Sequence, residues 1–187
     1  MDIRKKTGKR TGALIGGALA VVAAGTIGAL AVGGVDTGPA AQPVLAGRVE
    51  PADLRQTDHL TLAAATEAAQ AALAAASQEN QRVSVAVVDR DGNTIVLLRG
   101  DGAGPQSYES AERKAFTAVS WNASTAQLAE RLDKTPRLAD IPGTLFLGGG
   151  VPVATGGTPI AGIGVAGAPS GDLDEKYARA GVATLGD

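Results

Sequence analysis

The chain has 187 residues, 44% of them hydrophobic but only 3% aromatic, with no cysteine and a single histidine. Its formal net charge is −2, and from Gln42 onward 12 basic residues stand against 17 acidic ones, a net of −5. That balance argues against nucleic acid and against an anionic membrane surface as partners. The lack of cysteine excludes disulfides, thiolate metal sites and thiol nucleophiles.

Residues 1–10 carry Arg4, Lys5, Lys6, Lys9 and Arg10 against one acid, Asp2, and residues 11–35 are uncharged. A basic segment followed by an apolar one is the pattern of an export signal. Residues 1–41 therefore read as a signal peptide of a secreted protein, with cleavage expected at Pro39-Ala40-Ala41, just after the helix-breaking Gly38-Pro39. The alternative is a retained membrane anchor with the domain outside. The 25 uncharged residues are long enough to span a bilayer, although seven glycines dilute them. Residues 42–58 mix proline, glycine and charge without apolar period and read as a flexible linker to one domain over 59–187.

Thr61 is placed to cap a first helix from Leu62 to Asn80, with Leu62, Ala65, Ala69, Leu73 and Ala76 as its inner stripe. The Val/Ile/Leu-rich runs 83–89 and 94–99 predict two strands. They are joined by Asp89-Arg90-Asp91-Gly92-Asn93, which is turn chemistry. Ser107 is expected to cap a helix ending near Trp121. Ser124 and Gln127 have the spacing of a capping box for another, ending near Lys134. Leu145-Phe146-Leu147 and 159–165 read as further strands separated by glycine runs, and Ser170 opens a last helix with Asp172, Asp174 and Glu175 in its first turn. The order α-β-β-α-α-β-β-α, with short turns between paired strands, predicts an antiparallel sheet with flanking helices, an α/β sandwich of the α+β kind. With so few aromatics, small residues must fill the core, which suits close packing of elements and of subunits.

Gly162-Ile163-Gly164-Val165-Ala166-Gly167 is a literal G-x-G-x-x-G. A dinucleotide site needs a second parallel strand after the helix that follows, and only 20 residues follow Gly167. The motif reads instead as a glycine-rich strand against which a helix or another subunit packs.

Few residues are left to carry chemistry. His59 lies where the linker turns into the fold, a position for a surface or capping residue as well as for a ligand. No G-x-S-x-G accompanies it, so a Ser-His-Asp hydrolase is not supported. Glu109 and Glu112 are three apart on a helix and share a face, an oxygen-ligand pair suited to a hard ion such as Fe3+. The competing reading is equally physical. Glu109 is four residues before Arg113, the spacing of a surface ion pair contributing about 0.3–0.5 kcal/mol, and acids in a first helical turn are favoured by the helix dipole.

The segments PQSYESAERKAFTAVSWNA, DIPGTLFLGGGVPV and AGIGVAGAPSGDLDEKYARAG, with His59 ahead of the first helix, closely resemble the secreted haem-binding branch of the GlcG/HbpS-like family. The resemblance covers the whole domain. It implies a profilin-like sandwich assembled into a higher homo-oligomer, with haem held near a subunit contact. It carries the family's histidine onto His59 and its Pro-Gly-Thr threonine onto Thr144. Chemistry alone makes Thr144 a turn residue or a hydrogen-bond donor, since a neutral hydroxyl ligates iron poorly. Of the ordinary haem ligands, only His59, Tyr108 and Tyr177 remain once Met1 leaves with the signal. Any haem site is then five-coordinate, uses an oxygen ligand, or lies between subunits. The resemblance further implies iron at Glu109 and Glu112 and a sensing role for haem or redox stress beside a membrane sensor histidine kinase. Slow haem degradation would be its nearest approach to enzymatic activity. The alternative it leaves is a GlcG-like metabolic enzyme or enzyme-accessory domain.

Overall fold

The computed structural model describes residues 49–186, so the signal-peptide and anchor readings lie outside the described residues. No helix among the described residues is long and apolar enough to cross a membrane. Residues 49–59 are exposed, with one 3-10 turn at Pro51–Asp53.

Eight principal elements follow: α1 (Leu62–Gln78), β1 (Ser84–Asp89), β2 (Thr94–Arg99), α2 (Ser107–Trp121), α3 (Thr125–Ala129), β3 (Gly150–Thr155), β4 (Thr158–Ala166) and α4 (Gly171–Ala183). The order is the one expected. The strands form one antiparallel sheet ordered β2-β1-β4-β3. Val87 pairs with Val96 on one side and with Ile163 on the other, and Val151 pairs with Ile163 from β3.

Because side chains alternate along a strand, β1 feeds two cores. Val85 and Val87 join Ile163, Val165, Val151 and Val153 against α1 and α4. Ala86 and Val88 point the other way, onto Ala111, Ala115 and Val119 of α2. The α1 side is built from alanine: Ala65, Ala68, Ala69, Ala72 and Ala76 are all fully buried. Helices α1 and α4 approach so closely that a Cβ at Gly181 would fall 2.6 Å from the carbonyl oxygen of Ala68.

The glycine motif is explained on the α2 side. A Cβ on Gly162 or Gly164 would collide with the carbonyl oxygens of Ala115 and Ala111, and one on Gly150 with that of Lys114. These glycines let a helix backbone lie directly on the sheet, as the strand reading of G-x-G-x-x-G anticipates.

Four local expectations are corrected. Leu145-Phe146-Leu147 is not a strand. It passes along α2, with the Leu145 amide bonded to the Thr117 hydroxyl at 2.8 Å, and the strand starts at Gly150. Of the glycines around it, Gly150 is a packing position whose Cβ would strike the Lys114 carbonyl of α2, whereas Gly156 and Gly157 do separate the strands, as the β3–β4 turn. Leu62 is not part of the inner stripe: it is 64% exposed, and Ala68 and Ala72 take that face instead. Ser107 is the first residue of α2 and not its cap. Its buried hydroxyl reaches the Gly104 carbonyl and the Ser84 hydroxyl, at 2.6 and 2.7 Å. Helix α3 stops at Ala129 and continues as a 3-10 turn to Asp133, although the Ser124/Gln127 capping box is present.

Candidate functional site

The β1–β2 turn is set by Asp89. Its Oδ1 accepts from the amides of Asp91 (2.9 Å) and Asn93 (2.8 Å), and its Oδ2 accepts from the Asn93 side chain (3.1 Å). Partial burial works to raise this carboxyl. The hydrogen bonds from Asn93 and Asp91, with some help from the charge of His59, outweigh it and hold Asp89 below the ordinary carboxylate range. His59 reaches this turn from the segment before α1. The ring is exposed, its Nε2 lies 2.9 Å from the Thr57 hydroxyl, and a ring nitrogen comes within 4.8 Å of ligand oxygens of Asp89 and Asp91.

The other expected residues border the same turn. Thr94, just beyond it, donates its hydroxyl to Glu112 Oε1 at 2.9 Å. The Phe116 ring packs between two glycine turns: Cβ atoms at Gly92 and Gly143 would fall 2.9 and 3.6 Å from it. Next to Gly143, Thr144 is 3% exposed. Its hydroxyl donates to the Ile141 carbonyl at 2.7 Å, and its own carbonyl accepts from Arg113 at 2.7 Å. His59, Glu112 and Thr144, from three separate segments, are thus gathered around the 89–94 turn. Glu109 is exposed on the preceding turn of α2, beside the half-exposed Tyr108.

Two expectations about these residues are corrected. The Glu109–Arg113 ion pair does not form, because Arg113 is drawn to the Thr144 carbonyl. Tyr177 is unavailable as a ligand. It is wholly buried, donates to Glu79 Oε2 at 2.8 Å, and burial, followed by the Glu79 carboxylate, pushes its phenol up to about 12.

Sequence reasoning missed two features. One is the partnership of Asp89 and Asp91 with His59. The D-x-D signal was visible but reads first as a turn. The other is a buried ion pair, Lys114 Nζ to Asp174 Oδ2 at 2.7 Å, which pins α2 to α4 across the end of β4. Asp174 lies in a first helical turn, where an acid is expected anyway, so its pairing left no separate mark on the sequence.

These features define a class: a single α+β domain whose four-stranded antiparallel sheet has helices on both faces, with donor side chains clustered at one hairpin end. Residues 60–183 match the family model described as haem degrading protein HbpS-like, and the chain belongs to that family. The crystal structure of HbpS is 69% identical to this chain, covering 75% of it and 100% of the HbpS chain, with a TM-score of 0.75. A Streptomyces reticuli HbpS double mutant, with two glutamates three residues apart exchanged for aspartates, is 68% identical over 80% of this chain and 100% of its own, with the same TM-score of 0.75. More distantly, a PduOC:heme complex is 26% identical, covers 69% of this chain and 96% of its own, and has a TM-score of 0.64.

Proposed function

We propose that this chain is an exported haem- and iron-binding protein that senses haem or redox stress and acts on a membrane histidine kinase. Family membership and the relative solved with heme support the haem part. The observation that carries it is that His59 reaches the β1–β2 turn while Thr144 follows Gly143, which faces the same Phe116 ring as Gly92 of that turn. The donor set fits the group. His59 has an exposed imidazole whose one hydrogen bond among the described residues is to the Thr57 hydroxyl, and haem iron takes histidine nitrogen readily. The Thr144 oxygen donates its proton to Ile141 and so keeps lone pairs free. Arg113, fixed by the Thr144 carbonyl, holds further N–H donors at this end for a carboxylate. Bound haem would supply redox chemistry at its iron, and the chain's residues orient and shelter it. Export and the kinase partner rest on the N-terminal sequence pattern and the family resemblance.

Hemin titration of the full chain tests this. Parent protein gives a shifted Soret band at defined stoichiometry, His59→Ala weakens binding, and Thr144→Ala changes the bound spectrum while the fold persists. Affinity and spectrum unchanged in both variants would remove these residues from the site.

Iron is assigned to Glu109 and Glu112. Both carboxylates leave the helix on one side, Glu109 is exposed, and the matching spacing of the two exchanged glutamates in the HbpS mutant supports the choice. Neither is a core residue, so Glu109→Ala/Glu112→Ala should cost no more than about 0.5 kcal/mol in stability while lowering Fe(III) uptake in a competition assay. Uptake equal to the parent's would leave Glu112 as a partner of Thr94 only.

A further inference from the structure

We propose that His59, Asp89 and Asp91 form a binding site for a borderline divalent metal ion of the zinc, manganese or ferrous class, separate from the glutamate pair on α2. The proposal goes beyond the haem reading and concerns the haem-free chain, in which the imidazole is available.

One nitrogen and two carboxylate ligands come within 4.8 Å of one another although 30 residues of chain separate His59 from Asp89. The imidazole reaches the acids from a different segment, so turn formation alone does not account for the arrangement. The two acids have different duties. Asp89 is fixed by its hydrogen bonds from Asp91 and Asn93, yet Oδ2 takes only the Asn93 side chain and keeps a lone pair. Asp91 gives the turn only its amide, and its exposed carboxylate makes no hydrogen bond among the described residues. Neither acid forms an ion pair with lysine or arginine among the described residues. Two carboxylates without a lysine or arginine partner, beside an imidazole nitrogen, are what a divalent cation would balance.

The ligand set selects the ion. Calcium and magnesium take oxygen ligands, whereas imidazole with carboxylates suits zinc, iron and their neighbours. Bonds of about 2.0–2.2 Å bring ligand atoms to roughly 3–4 Å from each other. His59 and Asp91 are exposed and can close that difference by side-chain rotation.

Because the chain has one histidine, its ring Hε1 proton gives a single resonance that reports this site alone. Zinc added to haem-free full-length protein should shift that resonance to saturation at one ion per chain. Asp91→Asn and Asp91→Ala, whose side chain supports no part of the turn, should each raise the Kd for zinc by about tenfold or more. Glu109→Gln/Glu112→Gln should leave it unchanged. A resonance unmoved by millimolar zinc, or a Kd in both Asp91 variants within about twofold of the parent's, overturns the site. A Kd that follows the glutamate pair instead does the same. The haem reading stands or falls separately, by hemin titration, which Asp91→Asn leaves unaltered.

Discussion

Lys114 is only 2% exposed, and a buried ammonium is costly unless it is both paired and hydrogen-bonded. It meets both conditions, with Asp174 at 2.7 Å and the Val165 carbonyl at 3.0 Å. Burial raises the Asp174 carboxyl above its ordinary value, with Lys114 and the amides of Ala168 and Gly167 pulling the other way. Lys114→Met removes one member of a buried pair, a change that costs about 3–5 kcal/mol. The pH dependence has a definite sign. With the cation gone, folded Asp174 holds its proton still more tightly than unfolded Asp174. The folded state then binds more protons in the weakly acid range, and the variant regains stability as pH falls. Urea unfolding at pH 7 and pH 5 should give a deficit that shrinks at the lower pH. A deficit equal at both would mean that Asp174 is not the stranded charge.

Helix α2 owes its position to glycine. At Gly164 a side chain would strike the Ala111 carbonyl oxygen and come within 2.6 Å of the Ala115 amide, and neither is a flexible side-chain end that could swing away. Gly164→Ala must therefore push α2 off the sheet, and because the clash is with rigid backbone the cost should reach the upper end of the overpacking range, about 3 kcal/mol. Gly156, at the β3–β4 turn, has open space around it and a φ of +55°. Gly156→Ala should lose only the left-handed penalty, about 1–2 kcal/mol. Thermal melts of the two variants check the contrast, and similar losses would refute the packing argument. The same contact shows which elements were legible in the sequence. β1, β2 and the α1 cap carry strong local signals, hydrophobic runs and a threonine, and formed where expected. β3 did not, because its first residue is a glycine chosen for the helix above it, which is a tertiary demand that no local pattern displays. Ser107 misled for the same reason, since its hydroxyl is committed to the Gly104 carbonyl and the Ser84 hydroxyl. His59, Thr144 and the glutamates were nameable one by one. Their gathering at one hairpin was not, because it depends on Phe116 and Arg113 bridging segments far apart in sequence.

For the whole molecule, the question is what would enclose a flat, largely apolar ligand at that hairpin end. Among the described residues, two cavities of about 370 Å³ are lined by residues of the α1–β1 corner, among them Leu73 and Arg82, and by the polar face of α4. Neither includes His59 or Thr144. Large apolar side chains near the site remain in solvent instead: Leu62, three residues from His59, is 64% exposed, and Ile141, three residues from Thr144, is 40% exposed. The adjoining strand β2 is a sheet edge and leaves Leu97 38% exposed. On the proposed haem reading, one chain would offer a single wall with donor groups at its rim, and a second copy of the same surface would supply the facing wall. The full chain should accordingly sediment as a homo-oligomer at micromolar concentration, as close backbone packing and the scarcity of large core residues also favour. Leu62→Asp/Ile141→Asp should shift it toward monomer, because each introduced carboxylate would be buried unpaired at the contact. Both substitutions are on the surface of the isolated chain, so its secondary structure should survive. Hemin affinity should fall in step with assembly. A variant that sediments as a monomer and still gives the parent's Soret band at the parent's affinity would show that one chain encloses the ligand by itself, and the two-walled site would have to be abandoned.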